Sequence, residues 1–126
     1  MKLFSPLDVF GSFGSLKYYD EENMKDSRIH MEKTILTWPD VRTKKMFGCP
    51  CYIVKDVLFA FLVTGGIVIT DLDDEDREKL SKTHRTKPFH AGKRTVQKWI
   101  QVSIKGKNEL DSISSSIRKS YESARK

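Results

Sequence analysis

The chain has 126 residues, a net charge of +6, and 32% charged against 38% hydrophobic side chains. That length suits one domain of roughly 100–150 residues, and a charged share above the usual 25% or so marks a charged globule with a modest core. The longest unbroken apolar run, Val57 to Val63, falls far short of the roughly 20 residues of a membrane helix. Two cysteines cannot build a disulfide framework, and Asp8 breaks what would otherwise be the apolar part of a signal peptide. The expected location is the cytoplasm, with no membrane and some bias toward anionic partners.

Residues 1–18 place Phe4, Phe10, Phe13 and Tyr18 among Gly, Ser and Pro, with no helical or strand period. They are read as an aromatic extension that buries against the domain or in a homodimer interface. From Asp20 the pattern turns helical: Met24, Met31, Ile35 and Trp38 share one stripe, and Asp20, Glu21 and Glu22 complement the N-terminal amides. Pro39 ends this helix at Trp38.

Strands follow at Cys51–Val54 and Val57–Val63, joined by the two-residue connection Lys55-Asp56. Gly65-Gly66 is expected to supply positive φ angles for a turn into Ile67–Asp71. The apolar run Leu58–Val63 reads as a central strand covered on both faces, with Phe59 and Phe61 on the same one. Asp73 is placed to cap a second helix whose first turn holds Asp74, Glu75 and Asp76. The segment Trp99–Ile104 alternates as a strand with one wet face. Asn108 is read as the cap of a final helix, in which Leu110, Ile113, Ile117, Tyr121 and Ala124 form the apolar stripe. Helix, strand meander, helix, strand, helix makes an α+β domain over residues 19–126, with a mainly antiparallel sheet of about five strands.

Several fragments, in order, resemble a known family. They are Tyr19-Asp-Glu-Glu22, Arg42-Thr-Lys-Lys-Met-Phe-Gly48, Tyr52-Ile-Val54, Leu58-Phe-Ala60, Leu72-Asp-Asp-Glu-Asp-Arg77, Lys87-Pro-Phe89 and Gly92-Lys-Arg94. Together they resemble the TfoX/Sxy N-terminal domain across residues 19–124. The most specific piece is Lys45-Met46-Phe47-Gly48 followed by Phe59, a motif read as structural. The resemblance implies an α+β domain with an antiparallel sheet and an association with regulation of natural competence, where a second, helical domain usually follows. It supplies no catalytic motif, and no cofactor is expected.

Charge distribution is the strongest functional signal. From Lys79 to Lys107 there are nine Lys and Arg residues and no acid, directly after the acid-rich Asp71–Glu78. Lys87, Lys93, Arg94 and Lys98, joined by Arg42, Lys44 and Lys45, are candidates for a face that attracts phosphate through counterion release. The bland alternative is a solvated surface partly neutralised by the acidic helix. Cys49-Pro50-Cys51 with His84 and His90 is an alternative metal-ligand set, but its spacing departs from the usual zinc patterns and buried thiols are commonly small hydrophobes. Gly11-Ser-Phe-Gly14 lacks the helices of an RNA-clamping loop, and Gly65-Gly66 lacks the Lys-Ser/Thr of a phosphate loop. His30 has no paired nucleophile, and Met24 and Met31 read as core. The resulting expectation is a non-enzymatic module acting through a protein or nucleic-acid partner.

Overall fold

A computed structural model describes residues 19–46, 48–91 and 93–126; the readings made of residues 1–18 and of Phe47 lie outside them. Asp20 caps α1 (Glu21–Ile35), its carboxylate accepting the Glu22 amide, and Met24, Met31 and Ile35 are the buried face. This helix stops three residues earlier than Trp38. Thr37 and Trp38 continue as tight turns onto the carbonyls of Thr34 and Ile35, and Asp40 takes a positive φ of 63° that reverses the chain. Trp38 still packs against the core.

The sheet has six strands, not five, all antiparallel: β1 (Val41–Met46), β2 (Cys49–Val54), β3 (Val57–Val63), β4 (Gly66–Ile69), β5 (Thr86–Ala91) and β6 (Arg94–Ser103). Their spatial order is β1-β2-β3-β4-β6-β5. The two unforeseen strands are the two edges. β1 is wet on both faces through Arg42, Thr43, Lys44 and Lys45, so it shows no apolar alternation. β5 carries Pro88, which an edge strand tolerates because one side of its backbone has no ladder to complete.

The predicted hairpin connection is present: Lys55 and Asp56 both have positive φ, 50° and 65°. At Gly65-Gly66 only Gly65 does, at 76°. Gly66 already belongs to β4, and it is glycine for a different reason. A β-carbon there would sit 2.6 Å from the Val102 carbonyl oxygen on β6.

β3 is central and covered on both faces, as its composition implies, but Phe59 and Phe61 do not share one. Tyr52 pairs with Ala60 and Ile53 with Leu58, leaving Phe59 as an extra residue that shifts the alternation. Phe59 packs with Trp38 and Tyr121, whereas Phe61 meets Phe89 and Trp99 edge-on.

Asp73 caps α2 (Asp74–Thr83) as expected, accepting the Asp76 amide at 2.8 Å. The last helix, α3 (Lys107–Arg125), begins one residue before Asn108, with Gly106 at the cap. Glu109 reaches back to accept the Lys105 amide at 2.7 Å, one residue before the cap, and no side-chain bond caps the first turn in the way expected of Asn108. All five stripe residues of α3, from Leu110 to Ala124, are buried. α3 lies along β3, where the buried Ser120 hydroxyl donates to the Phe59 carbonyl and accepts the Asp71 amide. α1 joins the same layer: His30 meets Asp111 of α3 at 2.9 Å, and Met24 Sδ accepts the Gly65 amide. No helix among the described residues is long and apolar enough to cross a membrane.

Candidate functional site

The seven candidate cations fall into two groups at opposite edges of the sheet. Arg42, Lys44 and Lys45 stand exposed on β1, with Arg42 held 2.6 Å from Asp56 in the neighbouring hairpin. Lys87, Lys93, Arg94 and Lys98 stand exposed on the β5–β6 ribbon, four strands away in the sheet order. The basic run itself also divides. Lys79 and Lys82 pair with Glu75 and Glu78 one turn earlier on α2, so they belong to the acidic helix.

The ribbon is built from the outer half of the long strand β6. Only Ile100–Ser103 of β6 pair with β4. Beyond them the register against β5 jumps from Pro88↔Ile100 to Phe89↔Val96, so Gln97, Lys98 and Trp99 bulge. Phe89, Ala91, Val96 and Trp99 are buried, while Lys87, Pro88, His90, Thr95, Gln97 and Lys98 are exposed. The ribbon therefore buries its apolar side chains against the domain and leaves its cations in solvent.

The alternative metal-ligand set is not assembled. Cys49 and Cys51 are fully buried on β2, His84 bonds Thr83 and Ser112 at the end of α2, and His90 bonds Thr95 on the ribbon. No group of three or more His, Cys, Asp or Glu residues able to hold a metal comes together among the described residues. Burial pushes both thiols up from 9.0 to about 12, which keeps them protonated and poorly nucleophilic.

Of the motif residues, Phe59 is core and Met46 packs against the core. Gly48 takes the positive φ (83°) of the β1–β2 turn, and Lys45 points to solvent.

One polar constellation escaped the sequence reading. Arg28 forks onto Glu21 at 2.9–3.2 Å and reaches Glu32 at 3.0 Å. Tyr19 donates to Glu21 and Tyr52 to Glu32, each at 2.6 Å. The Arg28 guanidinium, then the Tyr19 hydroxyl, hold the Glu21 carboxyl below its ordinary value. Burial, then the adjacent carboxylate, pushes both phenols up. Glu21, Arg28 and Glu32 of this chain line one wall of a cleft of about 500 Å³ between α1 and β1, lined further by Leu36, Thr43, Lys44, Lys45 and Pro50. Glu21, Arg28 and Glu32 share a helical stripe and were legible as such; Tyr52, which completes the chain from β2, is remote in sequence.

Among the described residues, six antiparallel strands with three helices, and with the seven candidate cations at the two sheet edges, define a small α+β domain. The chain belongs to the TfoX N-terminal domain family, whose model matches residues 34–124. That match begins in the last turn of α1, so most of α1 precedes it. No curated protein and no solved structure matches the chain.

Proposed function

We propose that this TfoX N-terminal domain works without catalysis, as a regulatory interaction module that holds a macromolecular partner on its β5–β6 ribbon. The observation that carries the reading is the ribbon's set of exposed cations, Lys87, Lys93 and Lys98, in a stretch of sequence that holds no acid. Neutral residues at those positions would leave an ordinary wet face. Clustered cations instead raise the local concentration of an anionic partner and speed encounter.

Nucleic acid is the second reading, favoured by the shape of the same element. A two-stranded ribbon with cations outward is one of the few protein elements that fits the major groove of a duplex. Titration of generic duplex DNA and RNA onto the protein at low and physiological salt separates the two readings. A steep loss of affinity with salt, abolished by Lys87→Glu, Lys93→Glu and Lys98→Glu together, supports nucleic acid. Capture of a protein partner that the same triple variant loses supports the protein reading. A partner bound equally well by the triple variant removes the ribbon from the function.

A further inference from the structure

We propose that the β1 edge is a second docking site, which takes an extended peptide segment of alternating acidic and apolar residues as an added strand. This surface lies across the sheet from the ribbon and does not depend on it.

Among the described residues β1 pairs only with β2, so one side of its backbone presents N–H and C=O groups without a ladder. Such an edge is a template for strand addition, where main-chain bonds give affinity and alternate side chains give specificity. The two faces of β1 differ. Thr43 and Lys45 pair with Tyr52 and Pro50 and face α1, beside the cleft of about 500 Å³. That cleft also holds Leu36, which is 44% exposed, one of two large apolar side chains left in solvent among the described residues. Alternation assigns the Arg42 and Lys44 side chains to the opposite face, while Lys44 also borders the cleft, and Lys44 forms no ion pair among the described residues.

A strand laid along β1 would therefore meet the exposed Leu36 beside the cleft with one set of side chains and cations with the other. Guest residues on the α1 side would cover Leu36. Those on the far side would bring carboxylates to Lys44 and compete with Asp56 for Arg42. A second copy of this chain is a poor occupant, because pairing two β1 edges sets Arg42, Lys44 and Lys45 against their own like charges. A phosphate backbone is poor as well, since Glu21 and Glu32 line the cleft.

The probe is a labelled peptide of about six residues alternating glutamate and valine, added to the full chain and followed by anisotropy and by hydrogen exchange of β1 amides. The expected result is new protection of the outward β1 amides, and weakening of binding by about tenfold or more in Lys44→Glu. Backbone N-methylation of the peptide should abolish binding, and Lys87→Glu with Lys98→Glu should leave it unchanged. Absence of binding at about millimolar peptide overturns the proposal. So does equal binding of the N-methylated peptide, which would mean charge attraction alone. Insensitivity to Lys44→Glu, displacement by duplex DNA, or self-association through β1 in the absence of peptide overturns it too.

Discussion

The Ser120 hydroxyl on α3 donates to the Phe59 carbonyl on β3 at 2.7 Å and accepts the Asp71 amide at 3.0 Å. Phe59 is the extra residue of the β3 bulge, and its carbonyl also takes the Thr70 amide at 3.2 Å. Ser120 is thus the pin between the last helix and the irregular point of the central strand. Tyrosines aside, it is the one buried polar or charged side chain among the described residues, and both its donor and its acceptor capacity are used. Ser120→Ala leaves Phe59 with Thr70 but strips the Asp71 amide of its acceptor. A loss of about 1–3 kcal/mol is expected in urea denaturation. A loss below about 0.5 kcal/mol would show that the bulge holds without the pin.

The bulge has a consequence for the two phenylalanines it separates. Both are fully buried, and each anchors a different aromatic cluster. Phe59→Ala and Phe61→Ala should each destabilise by about 3–5 kcal/mol. Intrinsic fluorescence distinguishes them, since Phe59→Ala empties space beside Trp38 and Phe61→Ala beside Trp99. Were the two rings on one face, a single tryptophan would respond to both.

At the β2–β3 hairpin the expected change is a gain. Lys55 and Asp56 both occupy the left-handed region, which disfavours residues with a β-carbon by about 1–2 kcal/mol each. Asn-Gly is the pair this turn geometry prefers. Replacing Lys55→Asn and Asp56→Gly gives up the ion pair between Asp56 and Arg42, but both side chains are exposed and such pairs contribute little. A net stabilisation of about 1 kcal/mol, seen as a higher denaturation midpoint with unchanged slope, is the expected outcome.

The buried thiols make stability fall on the alkaline side. Each titrates near 9.0 when unfolded and near 12 when folded. Above the unfolded value the unfolded chain binds fewer protons than the folded one, so stability drops as pH rises; below it the contribution is constant. The slope is up to about 1.4 kcal/mol per pH unit for each thiol. Denaturation at about pH 8 and about pH 10 should show a smaller drop in the Cys49→Ala, Cys51→Ala double variant than in the wild type. Native-state labelling by a thiol reagent should be slow in the wild type and become fast in denaturant.

On the acid side the sign reverses. Glu21 titrates below its ordinary value because Arg28 and Tyr19 bond its charged form. Its contribution is therefore present above the unfolded carboxylate value and is lost as pH falls through the folded one. Arg28→Met should flatten that acid arm, a change followed by denaturation midpoints on both sides of the carboxylate range. An unaltered acid arm would show that the Glu21–Arg28 fork adds nothing to folding.

How much of this molecule its residues declare depends on whether the decisive interaction is local. Helix α2 was legible because Asp73 caps its own next turn, and α3 because its stripe recurs every three or four residues and faces one way. The central place of β3 followed from an apolar run bounded by two tight turns. The edge strands were not legible: β1 has no buried face to impose alternation, and a Pro within β5 reads as a breaker until its unpaired side is known. Nor could composition separate the seven cations, because strand order alone decides that β1 and β5 lie at opposite edges. The fork of Arg28 onto Glu21 and Glu32 was present on one helical stripe, but its closure by Tyr52 spans 20 residues from Glu32. Sequence determined the elements whose signals lie within a turn or a hairpin. Only the tertiary structure decided the bulge that parts Phe59 from Phe61, the two cationic edges and the cleft beside β1, because each requires chain segments that meet only after the sheet has formed.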